Sequence, residues 1–180
     1  MWGADALKNI GIHSFGILPS SRIAFDPEVR KICEGNLCRL YGKTWACPPA
    51  VGTDAQCRAR CLSYEKALVF HAVYSLEDPF DYEGMQRGHR EFKALCDRLY
   101  FLAKKHLPEF LLLSNEGCNR CQTCTYPKSP CRYPEMLFPS LEGYGIYVSE
   151  LAARAGLSYN NGPNTVTYFG MLLYDRSTTL

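Results

Sequence analysis

Residues 118–131 read Cys118-Asn119-Arg120-Cys121-Gln122-Thr123-Cys124-Thr125-Tyr126-Pro127-Lys128-Ser129-Pro130-Cys131, a C-x2-C-x2-C-x6-C run. Three cysteines at two successive two-residue gaps is the spacing by which a bacterial ferredoxin loop wraps an iron–sulfur cube. A cube offers several iron corners, so one tight loop can set thiolates on three of them. A single tetrahedral zinc ion is matched less well, because its ligands usually arrive as two C-x2-C pairs on separate turns. The ferredoxin run has a shorter gap before its last Cys, which serves a second cluster. The longer gap here lets Cys131 close the same one.

A second group lies upstream. Cys33, Cys38 and Cys47 form a C-x4-C-x8-C pattern followed by Pro48-Pro49. Proline after a ligating cysteine removes a backbone donor and stiffens the turn, and ferredoxin loops also end in Cys-Pro. Cys57 and Cys61 are four apart and share one helical face; each is either a fourth ligand or a buried thiol of the core. The distinction matters chemically. A site with four thiolates is saturated, whereas one with three keeps a position open, as catalytic zinc does. Cys96 borders an apolar helical stripe and reads as core filler.

The elements that must position these groups alternate. Ser14–Leu18 and Arg22–Phe25 are short strand candidates, and residues 33–53, with Gly35, Gly42, Pro48, Pro49 and Gly52, read as an irregular loop. Thr53 or Asp54 caps a helix to about Glu65. Ala67–Tyr74 is β-rich. Phe92, Leu95, Leu99, Leu102, Ala103 and Leu107 recur at helical steps along Tyr82–His106. Phe110–Ser114 reads as a strand delivering the chain to Cys118. Ser140 and Ser149 are candidate caps of two short helices stopped by glycines, and Thr165–Tyr174 is the last strand. The expected fold is α/β: one layered domain over residues 1–180, with four to five strands alternating with helices and two cysteine-rich metal loops. The alternation does not say whether the strands run parallel. If they do, loops at their carboxyl ends gather on one edge, so the two cysteine groups are expected close together.

The chain resembles a family of small prokaryotic predicted metal-binding proteins, domain of unknown function 2284. The resemblance rests on Cys33 and Cys38 followed by Tyr41-Gly42-Lys43-Thr44-Trp45-Ala46-Cys47-Pro48-Pro49, then Gly117–Cys124, Pro130–Glu135, Pro139–Ile146 and Thr165–Gly170. It spans about residues 22 to 174. It implies metal ligands at Cys33, Cys38, Cys47, Cys118, Cys121, Cys124 and Cys131, leaves Cys57, Cys61 and Cys96 outside the signature, and implies no particular reaction.

The remaining features narrow the function. The 180-residue chain is 47% hydrophobic with net charge +2, which gives no reason to expect nucleic acid or a membrane surface as partner. Met1–Lys8 lacks the basic-then-apolar form of a signal peptide, so the expected location is the cytoplasm. Ten cysteines there argue for metal rather than disulfides. The phosphate-binding glycine loop, the nucleophile elbow and H-E-x-x-H are all missing from the sequence. His13, His71, His89 and His106 have no ligand-spaced partners. Arg120, Lys128 and Arg132 flank the second loop as counter-charges or as a solvated basic patch, and Trp45 shields a cluster or fills the core. The leading expectation is an iron–sulfur protein with one or two 4Fe–4S clusters, passing electrons to or from a redox partner protein. One alternative is an enzyme whose three-cysteine cluster binds a substrate or sulfide, with Glu34, Tyr41 and Lys43 as local acid–base candidates. The other is a structural zinc protein. With two clusters of equal size, Cys121→Ala is expected to remove about half of the bound iron; unchanged metal content by elemental analysis would sink the assignment of Cys121.

Overall fold

The computed structural model describes residues 3–175. Four strands, β1 (Ser14–Pro19), β2 (Lys66–Ser75), β3 (Phe110–Leu113) and β4 (Thr165–Tyr174), form one antiparallel sheet in the order β1-β2-β4-β3. Five helices accompany it: α1 (Ala4–Asn9), α2 (Pro27–Glu34), α3 (Asp54–Leu62), α4 (Tyr82–His106) and α5 (Val148–Arg154). β2 and β3 both run against β4, so they are parallel to each other with β4 inserted between them. Helix α4 makes that crossover, a split β-α-β unit.

The pleat sorts side chains to two cores. Ala67 and Val69 of β2 join Leu113, Met171, Leu173, α3 and α5 on one face. Leu68, Phe70 and Ala72 join Leu112, Leu172, Tyr174 and α4 on the other. Helices cover both faces, which is why β2 is buried and apolar from Ala67 to Ala72 apart from His71. Helix α4 presents Phe92, Leu95, Cys96, Leu99 and Ala103 inward. Its first turn is capped by the Asp81 carboxylate, which accepts from Gly84 N–H, and Lys104, Lys105 and His106 oppose the dipole at its last turn. Thr53 and Gln56 close a reciprocal capping box on α3.

Several local expectations change. The α/β class and the long elements hold, but the sheet is antiparallel, so the carboxyl-edge argument for bringing the cysteine groups together does not apply. Arg22–Phe25 is not a strand: Ser20–Arg22 is a 3-10 turn, and Phe25 makes a single bridge to Ile146 before Asp26 caps the next helix. That helix, α2, begins with Pro27 and has the Asp26 carboxylate accepting from Glu28 N–H. Cys33 therefore sits on a helix rather than at the start of an irregular loop. Ser149 lies inside α5, whose N-cap Tyr147 makes no side-chain cap. The helix is held instead through Tyr147 N–H donating to Ala24 O at 2.8 Å.

The end of α5 lies directly on β1 at Gly16, where an added Cβ would run into the Ala155 carbonyl. Gly16→Ala is expected to destabilise the fold by about 1–3 kcal/mol, the usual cost of overpacking, read as a lowered urea midpoint. An unchanged midpoint would mean that α5 does not press on this strand.

Candidate metal centre

Both cysteine groups hang from one backbone seam at the β3 edge of the sheet. Beyond β3, Ser114 pairs with Ser140 in a parallel bridge. Ser114 N–H donates to Pro139 O at 2.8 Å, Leu141 N–H to Ser114 O at 2.9 Å, and Ser140 N–H to Ala46 O at 3.1 Å. The residue before Cys47 is thereby tied, through Ser140, to the strand that leads into Cys118.

Cys33, in the last turn of α2, lines a cavity of about 250 Å³ with Cys38, Cys47, Ile32, Leu40, Tyr41, Ser140, Glu116 and Glu142. The loop carrying Cys38 and Cys47 is folded back by Gly42 N–H donating to Pro48 O at 2.8 Å. The Asn36 side chain accepts from Tyr41 N–H at 3.0 Å. Arg30, one turn before Cys33, is buried and donates to Gly143 O and Gly52 O, both at 2.5 Å. One guanidinium thus joins α2, the loop after Cys47 and the turn bearing Glu142.

Cys118, Cys121, Cys124 and Cys131 together line a second, tighter pocket of about 20 Å³ with Trp45, Arg120 and Arg132. Trp45 donates to Ser129 O at 3.2 Å and meets Tyr126 edge-on at 4.9 Å between ring centroids, so it belongs to the wall of this pocket. Arg120 forms an ion pair with Asp97 and donates to Met136 O at 2.6 Å, and Arg132 donates to Thr123 O at 3.0 Å. The two pockets are lined by neighbouring residues of the same two segments. Gly117, next to Cys118, lines the first, and a Cβ there would sit 2.7 Å from Leu40 Cδ1 and 3.5 Å from Cys47 Sγ, so this segment packs closely on the loop of Cys47. Trp45, two residues before Cys47, lines the second.

Charge beside these segments is organised around Lys93. Its buried ammonium donates to Ser114 Oγ at 3.2 Å and to Asn115 O. Burial pulls its pKa down, and Cys96, Cys118, Glu116 and Glu142 pull it back up. Burial pushes the Cys33 thiol up to about 11, with Glu142 adding to it. Burial also raises Cys47, opposed by the hydroxyls of Thr44 and Ser140, and raises Cys118, opposed by the backbone N–H of Arg120. Burial raises the Glu142 carboxyl, opposed by the backbone N–H groups of Glu142 and Glu116, and of its two oxygens Oε2 is buried without a hydrogen-bond partner. Ligating thiols must deprotonate, so loading a metal here releases protons and is favoured as pH rises.

All ten cysteines are free thiols. Cys57 and Cys61 are fully buried in the core beneath α3. Cys57 Sγ is 3.4 Å from Val51 O and receives Arg60 at 3.5 Å, while burial pushes Cys61 up to about 12. Neither lines the first cavity. Cys96 is buried against Ser114 Oγ at 3.4 Å. Of the acid–base candidates named from sequence, Tyr41 lines the cavity and Glu34 and Lys43 do not. Glu116, Ser140, Glu142 and Lys93 were missed. The signal for two of them was present in the Pro139-Ser140-Leu141-Glu142-Gly143 stretch, a family block with no evident turn-forming reason for its acid.

The family model for predicted metal-binding proteins, DUF2284, matches residues 16–174 of the chain. The chain belongs to this family. Searches of curated proteins and of solved structures found no match. The donor set suits the family description: seven thiols reach two adjoining pockets, and thiolate is the ligand of choice for iron–sulfur clusters and for zinc. Among the described residues, no three His, Cys, Asp or Glu side chains converge as one ion would require.

The exposures order the reactivity of the metal-free protein. Cys38 is exposed, and Cys57, Cys61 and Cys96 are buried. Brief iodoacetamide treatment near neutral pH should label Cys38 first and leave those three unmodified until the protein is unfolded, as mapped by mass spectrometry. Labelling of Cys57 or Cys61 at the rate of Cys38 would contradict their placement.

Proposed function

We propose that the protein is a two-cluster iron–sulfur redox protein that exchanges electrons with a partner protein. Cys118, Cys121, Cys124 and Cys131 hold one 4Fe–4S cluster and Cys33, Cys38 and Cys47 hold the other. The observation that carries this reading is that two thiol-lined pockets take neighbouring residues from the same two segments, Trp45–Cys47 and Gly117–Cys118. Such clusters take up and release single electrons. The chain's own residues make the surroundings suitable. Trp45 lines the second pocket and is backed edge-on by Tyr126. The buried amine of Lys93 lies near Cys47 and Cys118, and its cationic form offsets thiolate charge and favours the reduced state. No helix among the described residues is long and apolar enough to cross a membrane, and the proposed setting is the cytoplasm.

A second reading is favoured by one feature of the first pocket. Its roomier, largely apolar cavity carries three thiols and an unpartnered carboxyl oxygen, as a site that also takes a substrate would. Anaerobic purification followed by iron, sulfide and zinc analysis separates these readings from a zinc protein. About eight irons and eight sulfides per chain are expected for two clusters, with visible absorbance that bleaches reversibly on dithionite addition. Zinc without sulfide would overturn the proposal.

A further inference from the structure

We infer that the Glu142 carboxylate is the fourth ligand of the metal group held by Cys33, Cys38 and Cys47. The inference rests on the cluster reading above and completes its first site.

Three thiolates occupy three corners of a cube, and the fourth needs a donor from somewhere. The thiols nearest in sequence are engaged elsewhere. Cys57 sits between Val51 O and the guanidinium groups of Arg30 and Arg60. Cys61 lies in the core. Besides the Tyr41 phenol, the polar side chains that line the cavity are Glu116, Ser140 and Glu142. Glu116 is solvent-exposed and stands 3.5 Å from His89 Nε2. Ser140 Oγ accepts from Gly143 N–H at 3.0 Å. Glu142 differs from both. Its Oε2 is buried with no hydrogen-bond partner, and of the buried unpartnered side-chain atoms among the described residues it alone belongs to a residue lining this cavity. A buried carboxyl oxygen left unpaired is costly, and such groups in folded proteins call for a partner outside the protein's own hydrogen bonds.

The residue is also held as a ligand should be. Its turn is fixed by Ser140 Oγ at Gly143 N–H, by Arg30 at Gly143 O, and by Gly145 in the left-handed region at φ 71°. The same Arg30 is carried by the helix that bears Cys33. Thiols and carboxyl are therefore set by one scaffold around one cavity. A carboxylate is a harder donor than a thiolate and a poorer match for a thiolate-held cluster, so this fourth position exchanges more readily than a cysteine would allow. That is the property an open-site function needs.

The test compares anaerobically purified wild type with Glu142→Gln, Glu142→Ala and Glu142→Cys. Iron and sulfide are counted, and EPR spectra are recorded after mild ferricyanide oxidation. The Gln and Ala variants are expected to lose about one iron of about eight and to develop the signal of an oxidised three-iron cluster. The Cys variant is expected to keep the full complement, with the first cluster resistant to oxidation. Glutamine is nearly isosteric, so a loss of iron in that variant with unchanged circular dichroism reports ligation rather than misfolding. Wild-type iron and an unchanged EPR spectrum in both the Gln and Ala variants would overturn the inference while leaving the cluster reading intact. A wild type without iron and sulfide would instead sink the cluster reading, and the inference with it.

Discussion

The candidate centre depends most on the buried guanidinium of Arg30. Burying a charge is expensive, and a stranded one is worse, so its donors must find acceptors. They find Gly143 O and Gly52 O, with the Asp54 carboxylate 3.7 Å away. These acceptors come from two segments distant from α2 and from each other, residues 52–54 and Gly143. The geometry of α2, of the loop leaving Cys47 and of the turn bearing Glu142 is therefore one problem with one solution. Moving any of the three would leave carbonyls or the cation unpaired in a place water does not reach. The cavity walls inherit their rigidity from that constraint.

The backbone seam Ala46–Ser140–Ser114 does for the two cysteine groups what Arg30 does within the first. It registers the loop of Cys47 against the strand that launches Cys118. Lys93 lies beneath this seam and donates to Ser114 and Asn115. A buried lysine is a liability in an ordinary core. Beside thiols and carboxyls it becomes an asset: burial lowers its pKa, but its cationic form and the anionic forms around it favour one another.

The two pockets differ in a way that bears on function. The second draws four cysteines from 14 consecutive residues, 118–131, into a tight pocket walled by Trp45, which suits a saturated, shielded centre. The first draws its three thiols from a helix and a loop, and its remaining wall from the Glu142 turn and from aliphatic side chains. Of the latter, Leu37 and Ile32 are exposed at 87% and 64%. A centre that only stores electrons has no need of that room.

What the sequence alone determined was set by local periodicity and spacing. The α4 helix is legible because its apolar residues repeat at 3.6 over 25 residues. β2 and β4 are legible because both are ten-residue runs of β-forming side chains. The two cysteine groups are legible because ligand spacing is a property of the chain itself. Even α2 was announced by Asp26-Pro27, although the cysteines and glycines that follow masked it. Tertiary structure decided the rest. Strand direction depends on how α4 crosses from β2 to β3, and no residue encodes that by itself. The burial of Cys57 and Cys61 depends on which face of α3 meets the sheet. Glu142 and Lys93 lie 109 and 60 positions from Cys33 along the chain, and they enter the site only because a sheet edge and a buried arginine bring their segments together. Spacing can propose ligands, but a partner this distant is found only when the chain has folded.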